Sequence, residues 1–187
     1  MKNITSSIFT ILGCLLLLSA CGNKNTASVS AKSVVFPNVN YAKAIAYDYE
    51  GVQGENIYEK GKLYHSIKNE QALSAEQISN LLDVLNDEGT YGGDVTRCFK
   101  PRLGVVFYDA EGKYLAQVSI CFECNQHQAS PSILAQDNTR KVTNMTGYSA
   151  EGRRKLVEFC KSLNFSNCGT VDREEATSEA LSNEDLH

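Results

Sequence analysis

Two stretches rich in β-branched and aromatic residues, 103–108 and 114–122, are joined by only Asp109-Ala110-Glu111-Gly112-Lys113, and they constrain the fold more than any other part of the chain. The linker suits a type I turn with Gly112 in the left-handed region, where a missing Cβ removes the steric penalty, so the two stretches close as an antiparallel hairpin. With Asp109 facing Lys113, Phe107 falls opposite Leu115 and Val106 opposite Ala116. Carried outward, this register sets Cys98 level with Cys124 and Pro101 level with Cys121. Pro101 has no amide hydrogen for a ladder, so the strand starts after it and the register loosens there.

Elsewhere the pattern alternates between strand and helix signals. Residues 42–50 place Ile45, Tyr47 and Tyr49 on one face at a period of two, with Lys43 at the same parity, which reads as a half-buried strand. Gly51-Val52-Gln53-Gly54 ends it, and residues 57–67 read as a hairpin around Gly61, giving a three-stranded meander. Ser74 is followed three residues later by Gln77, a capping box, and Ile78, Leu81, Leu82 and Leu85 recur at helical spacing before Gly89 stops the run. Thr90-Tyr91-Gly92-Gly93-Asp94 reads as a loop. Residues 125–147 have no firm period, and so long a loop either hides a short strand or covers a surface that matters. Ser149 caps a second helix with Leu156, Val157, Phe159, Cys160 and Leu163 on its apolar flank, and Gly152 in its first turn costs about 1 kcal/mol. The expected class is α+β: an antiparallel sheet built from β-hairpins, with two helices packed on one face.

The N-terminus has a different logic. Lys2 gives a positively charged start, residues 8–18 are apolar, and small residues precede Cys21, the layout of a secretory signal. A run of about eleven residues is too short to cross roughly 30 Å of hydrocarbon as a helix. Leu18-Ser19-Ala20-Cys21 resembles the lipobox of bacterial lipoprotein signal peptides, against the alternative of an ordinary cleaved signal or weak anchor with a chance cysteine. The resemblance implies cleavage before Cys21, loss of residues 1–20, and acyl chains such as palmitate on the thiol and amine of Cys21. Several chains anchor a protein firmly where one binds only marginally. Gly22 after the cysteine resembles the outer-membrane sorting pattern of enteric bacteria, so the implied address is the cell envelope, at the outer membrane or cell surface before the inner membrane.

These signals divide the chain into a signal at 1–20, a tether at 21–35, one α+β domain at 36–168 and a tail at 169–187. Polar and small residues dominate 22–33, as in a flexible linker. The tail carries six acids against Arg173 and has too little to bury to order itself. That leaves the domain itself near neutral, with no basic face suited to nucleic acid. The expected partners are the membrane, through the acyl chains, and a protein or envelope ligand.

Five cysteines fall in the domain: Cys98, Cys121, Cys124, Cys160 and Cys168. Export favours disulfides, so at most two bridges and one leftover thiol follow. Three readings compete for the first three. Cys98 bridges Cys124 or Cys121 and staples the open end of the hairpin; or Cys98, Cys121, Cys124 and His127 hold zinc as a Cys₃His set; or Cys121 and Cys124 cycle between dithiol and disulfide, although no helix N-terminus follows them to acidify a thiol. Cys160 and Cys168 would lie about 12 Å apart along one continuous helix, beyond the roughly 7 Å a bridge can span. Their bridge therefore requires the helix to end first, in the turn-forming Asn164 to Asn167 region. The segments Cys98-Phe99-Lys100-Pro101-Arg102 and Cys121-Phe122-Glu123-Cys124 are similar to ones in secreted or lipoprotein sequences of Bacteroidota-type bacteria, a likeness that implies no activity and no functional residue.

Other candidates have plainer readings. His65 reads as a sheet residue rather than a catalytic base. Arg97, Lys100 and Arg102 read as a solvated strand edge rather than an anion cradle. The nine tyrosines read as sheet residues with buried rings and wet hydroxyls rather than a carbohydrate platform. No nucleophile elbow, phosphate loop or zincin motif is present. A non-catalytic binding or envelope-associated module leads, with a thiol-redox or metal protein centred on Cys98, Cys121, Cys124 and His127 as the rival.

Overall fold

The computed structural model describes residues 35–51 and 54–169; the expected signal peptide, lipobox and most of the tether and acidic tail lie outside them. In chain order the elements are β1 (Lys43–Tyr49), β2 (Tyr58–Glu59), β3 (Lys62–Leu63), β4 (Ile67–Ala72), α1 (Ala75–Asn86), a 3-10 turn at Glu88–Thr90, β5 (Tyr91–Gly93), β6 (Leu103–Tyr108), β7 (Tyr114–Cys121), β8 (Gln126–Ser130), α2 (Leu134–Thr143), β9 (Gly147–Tyr148) and α3 (Ala150–Ser162). Five strands form one antiparallel sheet in the order β4-β1-β6-β7-β8. The α+β class and the antiparallel, hairpin-built sheet therefore hold.

The β6–β7 turn forms as its residues dictate. Gly112 has φ of 83°, the Gly112 amide donates to Asp109 O at 3.2 Å, and the Asp109 amide donates to Lys113 O at 3.0 Å. Tyr108 faces Tyr114, but a bulge follows at once, so Phe107 faces Ala116 rather than Leu115 and Leu103 faces Ile120. The ladder is shifted by one residue from the expected register. An extra residue on one strand increases local twist without changing which residues of the other strand face inward.

Parity then sorts the side chains. Ala44, Ala46, Leu103, Val105, Phe107, Ala116, Val118 and Ile120 face the helices, joining Ile78, Leu81 and Leu85 of α1, Ala135 of α2, and Leu156, Val157 and Phe159 of α3 in one core. Three helices line this face rather than two. The α1 cap is the expected box: Gln77 N donates to Ser74 Oγ at 3.1 Å, and Ser74 N donates to the Gln77 side chain at 2.9 Å. Gly152 of α3 lies where a Cβ would stand 2.3 Å from Thr90 O. Its helix cost is thus the condition for α3 to touch the 3-10 turn.

The opposite face carries Tyr47, Tyr49, Val106 and Tyr108, and the segment leading into β2 lies across it instead of extending the sheet. A Cβ on Gly104 would stand 2.4 Å from Ile57 Cβ, and Ile57 N donates to Ser119 Oγ at 2.8 Å. The expected meander is therefore corrected: β1 pairs with β4 and β6, while β2 and β3, among the described residues, pair only with each other. Covered on both sides, β1 is a buried central strand rather than a half-buried one. The stretch at 125–147 does hide structure, namely β8, α2 and β9, and the glycine pair at 92–93 belongs to a short ladder with β9 rather than to a loop.

Candidate functional site

At the open end of the β6–β7 hairpin the chain turns through Phe122 to Asn125, with Asn125 N donating to Phe122 O at 3.3 Å and Asn125 itself left-handed at φ 52°. Cys121 closes β7 opposite Gln126, and Cys124 sits in the turn between them. The approach to β6 folds over this turn. Thr96 N donates to Cys124 O at 3.1 Å, and the Gln126 side-chain amide donates to the carbonyls of Thr96 and Cys98. Cys98 and Cys124 are joined as a disulfide with their Cα atoms 5.6 Å apart. Of the two pairings open for Cys98, this is the one formed.

Cys121 remains a thiol. It is fully buried with Cys124 and Phe99, beside a partly exposed Cys98, and the three sulfur atoms lie within 4.8 Å of one another. The Cys121 sulfur accepts from Lys100 N at 3.3 Å, and its S–H faces Glu123 Oε2 at 3.8 Å. Burial pushes the thiol above its ordinary range, with the Glu123 carboxylate acting in the same direction, while the amides of Lys100 and Cys124 pull it back. At neutral pH Cys121 is a protonated, shielded thiol next to a disulfide.

His127 does not join the cluster. It pairs with Ile120 in the β7–β8 ladder while Cys121 pairs with Gln126, and adjacent ladder positions point to opposite faces. The imidazole lies instead 5.8 Å from the Tyr91 ring and 5.5 Å from the Tyr148 ring. Its Nδ1 is buried without a partner, and burial lowers its pKa to about 4. A Cys₃His set is therefore not assembled: two of its sulfurs are bonded to each other and its histidine faces the other side of the sheet.

Cys160 and Cys168 are bridged with Cα atoms 5.4 Å apart. The helix stops as that bridge requires, with Leu163 at the C-cap and Asn164 left-handed at φ 57°, and Phe165 tucks into the core. Just beyond it lies a group that sequence patterning passed over. Asp48 is buried on the helix side of β1 and accepts from Ser166 N at 2.9 Å, Ser166 Oγ at 2.8 Å and Asn167 Nδ2 at 3.2 Å. An aspartate inside an alternating strand was the available signal, since a buried carboxylate needs donors.

The remaining candidates separate. His65 is not in a strand; it lies exposed in a turn with its ring 4.4 Å from that of Tyr64. Arg102 reaches Glu123 at 3.1 Å and Glu50 at 3.5 Å, while Arg97 and Lys100 are exposed, so the three cations do not converge. Tyr47 and Tyr108 share a hydrogen bond of 2.9 Å beneath the β2–β3 hairpin, so these hydroxyls are paired rather than wet. Tyr58 and Tyr114 stack on each other at 4.2 Å. Among the described residues, no helix is long and apolar enough to cross a membrane. The chain matches no family model, no curated protein and no solved structure.

Proposed function

We propose that this chain is a lipid-anchored envelope module, non-catalytic, that presents a disulfide-braced α+β domain on a tether from Cys21 to bind a protein or other envelope component. The observation that carries the reading is Leu18-Ser19-Ala20-Cys21 after a charged start and a short apolar run. Two paired disulfides support it, because such bonds persist where proteins are exported. The clamp on Phe36 also suits a tethered module. The Asn86 side chain accepts from Phe36 N at 2.8 Å and donates to Phe36 O at 2.9 Å, fixing the domain's first residues to α1.

The test is Cys21→Ser in the full chain, followed by cell fractionation and metabolic labelling with a fatty acid. The expected result is loss of label and release of the protein from the detergent phase. Detergent-requiring membrane association that survives the substitution would overturn the anchor. Gly22 supports placement at the outer membrane or cell surface, which protease accessibility of intact cells reads directly.

A further inference from the structure

We propose that Cys98, Cys121 and Cys124 form a thiol–disulfide exchange centre: Cys121 displaces Cys98 from its bridge to Cys124, leaving Cys98 as the reactive surface thiol that takes up disulfides or soft electrophiles. The inference does not depend on the lipid anchor. It rests on three sulfurs within 4.8 Å of one another, of which the thiol is buried and only Cys98 is partly open to solvent.

The step conserves bonds and electrons. The Cys121 sulfur gives up its proton on the side of Glu123 Oε2, which its S–H already faces, and attacks the Cys124 sulfur. A Cys121–Cys124 bond forms, the Cys98–Cys124 bond breaks, and Cys98 leaves as a thiolate that solvent protonates. No external oxidant or reductant enters. An outside disulfide then meets Cys98, which bonds to one of its sulfurs and releases the other as thiolate.

Two features of the fold suit this exchange. Cys121 and Cys124 lie at the ends of one turn between paired strands, so their bond needs no distant segment to move. The segment bearing Cys98 is also held without its disulfide, by the Gln126 amide, by Thr96 N on Cys124 O, and by Gly54 N on Phe99 O at 3.3 Å. Releasing the bond therefore frees a sulfur rather than a loop. Burial of Cys121 keeps the exchange slow near neutral pH, since the thiolate is the nucleophile.

Full-chain protein purified without reductant is treated with N-ethylmaleimide at a series of pH values, quenched in acid and mapped by peptic digestion without reduction. The expected product carries the label on Cys98 together with a Cys121–Cys124 bridge, and its rate rises about tenfold per pH unit while the attacking thiol is mainly protonated. Label on Cys121 with Cys98–Cys124 intact overturns the proposal, as does no label on folded protein whose urea-unfolded form labels fully. Cys98→Ser supplies the independent check. Treated with oxidised glutathione, which takes the two electrons and leaves as two reduced glutathione molecules, its remaining pair should form a Cys121–Cys124 bridge with no titratable thiol in the native protein; two free thiols after that treatment also overturn the proposal.

Discussion

The two faces of the central sheet are closed by different physics. The helix face is lined by aliphatic residues and Phe107 under three helices, so it is held by non-directional burial. The other face is lined by Tyr47, Tyr49 and Tyr108, with Ser119 and Gln117 beside them, under a two-residue-per-strand hairpin. There the hydroxyls must find partners: Tyr47 finds Tyr108, and Ser119 serves both Ile57 N and Gln117. The Tyr49 hydroxyl lies beside the same Ser119 without a hydrogen bond of good geometry, and Asn56 Oδ1 is buried without a partner. A face closed by packing tolerates no lost volume, whereas one closed by directional contacts is sensitive to which polar atom is removed.

Substitutions on each face can break that contrast. The largest effect belongs to Phe107→Ala, which empties a fully buried ring site set edge-on to Phe36 at 5.7 Å and Tyr41 at 5.1 Å. A loss of about 3–5 kcal/mol in urea unfolding is expected; a loss under about 1 kcal/mol would mean that the face is not tightly packed. Next comes acid. The unfolded imidazole of His127 binds its proton near pH 6.5 and the buried one only near pH 4, so the unfolded chain holds more protons between those values. Stability is full above about pH 6.5 and drains by about 3 kcal/mol as pH falls through 4. His127→Phe should flatten that part of the urea midpoint against pH; an unchanged slope assigns it to other groups.

On the tyrosine face, Gly104→Ala drives a Cβ into Ile57 and should cost about 1–3 kcal/mol; Ile57→Gly, which removes every side-chain atom in its way, should make the pair cost less than the sum of the two single losses. The smallest effects distinguish two neighbouring hydroxyls. Tyr47→Phe removes one half of a buried hydrogen bond and should cost about 1 kcal/mol. Tyr49→Phe removes a hydroxyl beside Ser119, whose oxygen already serves Ile57 N and Gln117, and should cost about 0.5 kcal/mol or less. Equal losses from the two would show that the face does not rely on directional contacts.

What was legible in the sequence follows from how local each cause is. The α1 capping box and the Asp109–Lys113 turn are decided within a few residues and form as read. The bulge between Phe107 and Tyr108 carries no signal in the turn residues, and it displaces every pair beyond Tyr108–Tyr114 by one. Helix α2 gave little warning: its N-cap is Ile133, with no side-chain cap bond, and Ala135 alone of its residues is buried. The meander failed because β2 and β3 have two residues each, too few to show that they cross the sheet rather than join it. At the candidate site, Cys98 is bridged to Cys124, one of the two pairings the sequence left open, although the register that set them level is off by one. His127 was misplaced because proximity in sequence says nothing of strand parity, which sends it to the other face from Cys121.

Asp48 has a consequence for how this chain reaches its fold. It lies on the first strand, yet two of its donors belong to Ser166, 118 residues later, and β1 becomes a central strand only through pairing with β6 as well as β4. Contacts so distant in sequence form late and slowly. In a chain made from its N-terminus this carboxylate is in place and waiting until almost the last residue of the domain is added. Completion of the fold thereby waits on residues 166 and 167, and a chain truncated before residue 166 would leave Asp48 without these donors.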